Sequence, residues 1–476
     1  MCVSRVKTAY LKHVAKVMLL CEMAVREGSF FRFFNKNELI NVVWRRWGTF
    51  LWIIIRNFAL KNIFMRVLII NTSERIGGAA IAATRLMHAL KKANVSVKML
   101  VRDKQTDYLT VVSVGSSWKH TLHFLWERFC IFVANGFSKK NLFLVDIANA
   151  GTDITSCADF KRADVIHLHW VNQGFLSMPG LEKILHSGKP VVITMHDQWY
   201  FTGVCHYSDG CEKYKTQCGQ CPQMRGALLG DYAQSVFEKK RGMYQDAPVT
   251  FVGCSQWMAD LAKSSALTQG HKIVSVPNAI DTDLFKPFDK AEARRTFGLP
   301  EKRRLILFGC QRITDERKGF RYLAEALSMI KDRGNEARNM TLVVVGGKAD
   351  AVKTMVPVDT VSVSYVSDPR KLVQLYNAVD VYVTPSLQDN LPNTIMEAMA
   401  CGTPCVGFDA GGIPEMIDHK VNGYVAGYKD AADFAEGILW TLSTGAAQLG
   451  KAARDKVMRS YSEDVVAKKY MEVYEG

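Results

Sequence analysis

Two carboxylates, Asp389 and Glu397, flank seven residues in the stretch "PSLQDNLPNTIMEAMACGTP" (385–404). The stretch follows an apolar run, "DVYVTP", and ends on Gly402, Thr403 and Pro404, which stop a helix. A helix start attracts anions, and phosphate is the natural guest there. Acids placed around such a start, beside Asn390, Leu391, Asn393 and Thr394, are suited to accepting hydrogen bonds from neutral hydroxyls. The backbone N–H groups of those residues point to the helix mouth. Upstream, "LILFGCQRITDERKGF" puts Arg312 and Lys318 six apart on a strand-to-helix loop, with Gly319 next. Two cations beside a helix start can neutralise a diphosphate without a metal.

The elements that must position these groups are legible as a repeat. "MRVLIINTSERIGGAAIAATRLMHAL" begins at Met65 and "RRLILFGCQRITDERKGFRYLAEALSMI" at Arg303. Each reads as a basic residue, an apolar β-run, a polar loop with glycine and an amphipathic helix. Further apolar runs follow in both halves, among them "DVIHLHW", "PVVITMHD" and "VTFVGCS" in the first and "TLVVVGG", "VSVSYV" and "TPCVGFD" in the second. This predicts two doubly wound α/β domains in tandem, 65–280 and 281–455, joined near "VPNAIDTDLFKP". Ligands in such sheets bind at the carboxyl ends of strands, so two facing sheets make a cleft. Ser364–Ser367, after "VSV", could offer backbone to a nucleotide base.

An acid, seven residues and Glu, after "TPS" and before "AMACGTPCVG", with Arg-x5-Lys-Gly upstream, resembles the retaining glycosyltransferases of family 4. The resemblance covers roughly Met65 to the C-terminus. It implies the GT-B fold, two Rossmann-like doubly wound domains facing across a cleft. It implies a hexosyltransferase-type enzyme using a nucleotide-diphosphate sugar, with retained anomeric configuration. Carried to this chain, Glu397 binds the donor ribose, Asp389 contacts the transferred sugar, and Arg312 and Lys318 hold the diphosphate. The family usually has Glu where Asp389 stands, so the carboxylate here is one methylene shorter. His196, at the end of "VVITMHD", matches a family position at the reaction centre. Gly77 and Gly78 would let backbone approach the diphosphate or the acceptor. His167 and His169 read as packing and capping residues, with His169 a lesser candidate for lining the cleft. The segment 456–476 is expected as a helix crossing back to the first domain.

The expected reaction moves a sugar to a saccharide or lipid-linked saccharide acceptor in bacterial surface polysaccharide synthesis, in the cytoplasm or at the inner face of its membrane. Rival readings are another GT-B activity, such as a nucleotide-sugar epimerase or a phosphorylase, or a nucleotide-sugar-binding protein without turnover. No catalytic metal is expected, because the cations do the neutralising.

Cys205, Cys211, Cys218 and Cys221 are spaced x5, x6 and x2 within an insertion, 205–221, that follows His196. Four thiols ending in C-x2-C suit structural zinc, with His206 as a spare ligand; unmetallated thiols or a redox pair are the alternatives. Twelve cysteines without a secretory signal pattern suggest a reducing compartment.

Residues 1–64 hold 11 Lys/Arg and 3 Asp/Glu, a net +8 out of +15 for the 476-residue chain. This extension includes "WGTFLWIIIRNFAL", from Trp47 to Leu60, which Arg56 interrupts. The run is short for a membrane span and suits peripheral contact with an anionic membrane. A solvated leader, or an extension upstream of an older start at Met65, are the other readings. Nucleic acid is not an expected partner, as no recognised nucleic-acid-binding motif occurs.

Overall fold

The structure is a computed structural model that describes residues 65–224, 231–312, 315–333, 339–347 and 349–476. The extension 1–64, with its expected membrane contact, lies outside the described residues.

Two parallel sheets account for the repeat. The first has β1 (Arg66–Ser73), β2 (Ser96–Asp103), β3 (Val111–Ser113), β4 (Val165–Leu168), β5 (Val191–Met195), β6 (Val249–Gly253) and β7 (Lys272–Ser275), in the order β3-β2-β1-β4-β5-β6-β7. The second has β8 (Arg304–Arg312), β9 (Met340–Gly347), β10 (Asp359–Val363), β11 (Val381–Thr384), β12 (Cys405–Phe408) and β13 (Gly423–Ala426), in the order β10-β9-β8-β11-β12-β13. Strands such as "VIHL" and "VVITM" are buried along their whole length. That burial is why their sequences show apolar runs instead of alternation.

Both sheets reverse their strand order once. The switch lies between β1 and β4 in the first sheet and between β8 and β11 in the second. Loops diverge at a switch point and leave a crevice at the carboxyl ends. The glycine loop after β1, the loop after β8 and the Asp389 loop after β11 all leave from such ends. Ser364–Ser367 follow β10, an edge strand.

The helix Gly78–Lys92 has Gly77 as its N-cap at φ 92, a conformation open to glycine, and Lys91 and Lys92 in its last turn, where they complement the helix dipole. Its buried face, Leu86 and Leu90 included, shares a core with Val466, Ala467, Tyr470 and Tyr474. These four belong to the helix Glu463–Glu475, so the C-terminus packs on the first domain. The segment drawn from 456 is two elements: the helix Ala446–Ser460 ends before Tyr461, and the returning helix begins at Glu463. The break follows from packing, because Val457 and Tyr461 still belong to the second domain's core. Arg454 ties the linker down, donating to the carbonyls of Thr282 (2.8 Å) and Ala400 (2.7 Å), and also to that of Phe285.

Candidate functional site

The helix Asn393–Ala400 starts directly after Pro392 and faces the first domain. Its mouth is bolted across the cleft. Asn393 Nδ2 donates to the carbonyl of Gly78 (3.1 Å), and Asn278 Nδ2 donates to Asn393 Oδ1 (3.2 Å). Asn390 Nδ2 donates to the carbonyls of Met195 (3.0 Å) and His196 (3.2 Å), while its Oδ1 accepts from Ser255 Oγ (2.6 Å). Gly78 therefore meets the mouth, with Gly77 its neighbour in the chain, and the Asn390 and Asn393 side chains join the two domains. Leu391 is buried beneath them.

Glu397 lies one turn into this helix and is 5% exposed. Its Oε1 accepts from Arg85 Nη2 at 2.6 Å and its Oε2 from the Tyr376 hydroxyl at 2.8 Å. Arg85 comes from the helix Gly78–Lys92, and its guanidinium lies 5.0 Å from the Phe285 ring centroid. Its Nη1 is buried without a partner among the described residues.

Asp389 accepts from Lys318 Nζ at 2.6 Å, with Arg317 Nη1 at 4.0 Å. Burial works against its charge, but the two cations more than offset that and hold its pKa below the ordinary value. Arg317 also donates to the carbonyl of Gln388 (2.9 Å) and stacks on Tyr207, 4.9 Å from the ring centroid. Gly319 sits at φ 65, and a Cβ there would lie 1.9 Å from the carbonyl oxygen of Pro385. Only glycine lets the loop that carries Lys318 close onto the loop that carries Asp389. Arg312 ends β8, but its side chain lies outside the described residues, as do Ile313 and Thr314.

On the opposite wall, His196 directly follows β5 and is half-buried. Its Nε2 is 2.8 Å from His169 Nδ1 and its Nδ1 is 3.5 Å from Cys254 Sγ. Burial lowers its pKa to about 4, so the ring is neutral at physiological pH. His169 is fully buried behind it, and its Nε2 has no partner among the described residues. His167 bonds Tyr474 (2.8 Å) and Thr194 (2.7 Å), and Thr194 meets Tyr470 (2.9 Å), so it is a packing residue that receives the C-terminal helix.

Asp197 accepts from Trp170 Nε1 (2.8 Å), the Trp199 amide (2.9 Å) and His206 Nδ1 (2.7 Å). The other ring nitrogen of His206 reaches Asp146 at 3.0 Å. Burial disfavours the imidazolium, yet the two carboxylates prevail and raise its pKa to about 10. Both nitrogens are engaged, so His206 is not a spare metal ligand.

The four cysteines line one small cavity beside Lys213 and Tyr214. The Gly203 amide donates to Cys218 Sγ at 3.2 Å. Burial raises the thiol of Cys205 to about 12 and that of Cys218 to about 11. Among the described residues, no three His, Cys, Asp or Glu side chains are arranged to hold a metal ion. Nearby, the buried Lys240 ammonium donates to the carbonyls of Thr202 (3.0 Å), Gly203 (3.1 Å) and Trp199. Desolvation brings its pKa down to about 7.

Sequence reasoning did not find Arg85, Arg317, Tyr207 or Glu415. Glu415 follows a Gly-Gly pair and caps the helix Gln256–Lys263 of the other domain, accepting from the amides of Gln256 (2.8 Å) and Trp257 (2.7 Å). Arg317 was within reach, since it adjoins Lys318. The others carry no local signal.

The cleft so built combines two domains, a helix mouth and acids held by cations. Residues 76–284 match the family described as Glycosyltransferase Family 4, and residues 303–444 match Glycosyl transferases group 1. The chain is 27% identical over 363 residues to the uncharacterized glycosyltransferase MJ1607 of Methanocaldococcus jannaschii, covering 70% of this chain and 90% of that protein. It is 29% identical over 163 residues to the N,N'-diacetylbacillosaminyl-diphospho-undecaprenol alpha-1,3-N-acetylgalactosaminyltransferase of Campylobacter jejuni, covering 33% and 41%. It is 25% identical over 266 residues to the putative colanic acid biosynthesis glycosyl transferase WcaC of Escherichia coli, covering 53% and 62%. Among solved structures, HepE of Anabaena in complex with UDP-glucose superposes with a TM-score of 0.55 at 15% identity, covering 86% of this chain and 99% of that one. Fold and matches together define a GT-B glycosyltransferase. Within that class, the chain is a glycosyltransferase family 4-like protein, its two halves meeting the two family descriptions in turn.

Proposed function

We propose that this chain is a retaining glycosyltransferase that moves a sugar from a nucleotide-diphosphate sugar to a saccharide or lipid-linked saccharide in bacterial surface polysaccharide synthesis. The observation that carries the reading is the pair of acids held by cations on either side of one helix mouth: Glu397 with Arg85, and Asp389 with Lys318. A carboxylate has about four acceptor sites, so Glu397 can keep Arg85 and Tyr376 and still accept from ribose hydroxyls. Asp389 reads the hydroxyls of the transferred sugar. Lys318 and Arg317, with the helix mouth, take the charge that grows on the departing diphosphate. The neutral ring of His196 lies against the transferred sugar. The acceptor and the cellular role are supported by the names of the Campylobacter and Escherichia relatives, and the nucleotide sugar by the ligand of HepE. The reaction would run at the inner face of the cytoplasmic membrane.

The test is a thermal-shift panel of UDP-, GDP- and ADP-sugars, with Glu397→Ala as control. Stabilisation by one donor that vanishes in the variant identifies the base. No shift with any donor overturns the donor assignment.

Structural zinc in the cysteine loop is a separate proposal. Four soft thiols around one cavity and an amide donating to Cys218 Sγ supply the donor set, although the thiols must draw together from their present arrangement to ligate the metal. Metal analysis after reducing purification should find about one zinc per chain. None would end it.

A further inference from the structure

The helix Ser117–Ala134 buries a mixed face, His120, Glu127 and Arg128 beside Cys130, Ile131 and Ala134, and leaves large apolar side chains outside. Its inner face is locked. Glu127 accepts from the amides of Ile147 (3.0 Å) and Ala148 (2.6 Å), and Arg128 Nη2 donates to Asp146 at 2.6 Å. Gly174 lies so close that a Cβ there would meet the amide nitrogen of Phe124 at 2.6 Å. The outer face carries Trp118, Leu122, Leu125, Trp126 and Phe129, each more than half exposed. At about 100° per residue these five fall within roughly 100° of the helix circumference. Contiguous exposed apolar surface of this kind marks an interaction site.

The surrounding charge selects the partner. Between Ser116 and Leu144 the exposed charged side chains are Lys119, Lys139 and Lys140, and the one carboxylate, Glu127, is buried. A second copy would set these lysines against themselves across a two-fold axis, with no exposed acid in this stretch to pair them. The sequence of the extension 1–64, at net +8, offers no excess of acid either. Tryptophan and phenylalanine flanked by lysine is the chemistry of the headgroup layer of an anionic bilayer.

We propose that the helix Ser117–Ala134 is a docking face for an anionic membrane surface. It lies flat with its aromatic stripe in the interface. The face is tied to the cleft through buried groups: Arg128 holds Asp146, Asp146 holds His206, and His206 holds Asp197, the neighbour of His196. Docking thus fixes the reaction centre relative to the bilayer, which deepens and rests on the reading of a lipid-linked acceptor.

The test is co-sedimentation of the full chain with vesicles of an equimolar mixture of phosphatidylcholine and phosphatidylglycerol, and with phosphatidylcholine alone. The full chain should bind the anionic vesicles and release in high salt. A chain carrying Leu122→Glu, Trp126→Glu and Phe129→Glu should partition about tenfold more weakly or worse, with its melting temperature and donor-induced thermal shift unchanged. A chain with Lys119, Lys139 and Lys140 changed to Gln should bind anionic vesicles more weakly, keeping only the share that the basic extension 1–64 contributes, and provides a second test if the first variant misfolds. Undiminished binding by the Glu-bearing chain would overturn the proposal. So would a dimer that these substitutions split in the absence of vesicle binding. Turnover on a water-soluble saccharide is read separately: a chain that binds vesicles through this face but transfers no sugar keeps the docking face and loses the acceptor reading.

Discussion

Arg85 and Glu397, 312 residues apart in sequence, meet at 2.6 Å between the two domains, the guanidinium against a carboxylate one turn into the helix Asn393–Ala400. The side chains are only 13% and 6% exposed. Removing one partner from a buried pair leaves the other charge uncompensated, at a cost of about 3–5 kcal/mol.

Arg85→Met should therefore destabilise more than an exposed substitution and reduce the donor-induced thermal shift. Together with Glu397→Gln it should show a coupling energy of about 1–3 kcal/mol in denaturant unfolding. Additive effects would mean that the pair is not a unit.

Lys318→Ala should cut turnover by about a hundredfold or more, because the proposed mechanism sets its cation against the departing diphosphate, and it should also lower the melting temperature, because Asp389 is left with Arg317 alone. Gly319→Ala should do similar damage without touching a charge, since its Cβ would drive the Lys318 loop off Pro385. Asp389→Glu, which restores the family's usual acid, should re-rank sugars sharing one nucleotide. Steady-state kinetics over a donor panel reads all three, and near-wild-type turnover for Lys318→Ala would remove the proposed mechanism.

The His206 imidazolium gives a pH signature. Its folded pKa of about 10 exceeds the unfolded value, so its contribution to stability is full below about 6.5 and drains away as pH rises toward 10. The gap in melting temperature between wild type and His206→Gln should be widest near pH 6 and narrow steadily up to pH 10. A gap that does not change with pH would place a neutral ring between Asp146 and Asp197.

The C-terminal helix should be part of the first domain's core. Tyr474→Phe loses the bond to His167 and should cost about 1 kcal/mol in denaturant unfolding. Truncation after Ser462 strips Val466, Tyr470 and Tyr474 from a shared core and should leave the chain poorly soluble. A truncated chain that melts as wild type would show the helix to be dispensable.

The tandem α/β architecture was legible because its signals are local: buried parallel strands read as apolar runs, and helices as periodic ones, within ten or so residues. The acids, Lys318 and the glycine pair were legible for the same reason, as residues at the ends of such runs. Their partners were not. Nothing near Arg85 distinguishes it from any arginine on an amphipathic helix. Nothing near Asn390 says that its amide serves the backbone of β5 and not a phosphate. His206 beside Cys205 read as a metal ligand until two carboxylates, 60 residues upstream and 9 residues upstream, took both of its nitrogens. The aromatic stripe of the helix Ser117–Ala134 had the composition of a core helix. Local pattern by itself determined which elements form and which polar groups stand at their ends. Tertiary structure alone decided which of those groups meet, which charges are offset and which apolar face is left outside, because these depend on how distant segments close upon one another.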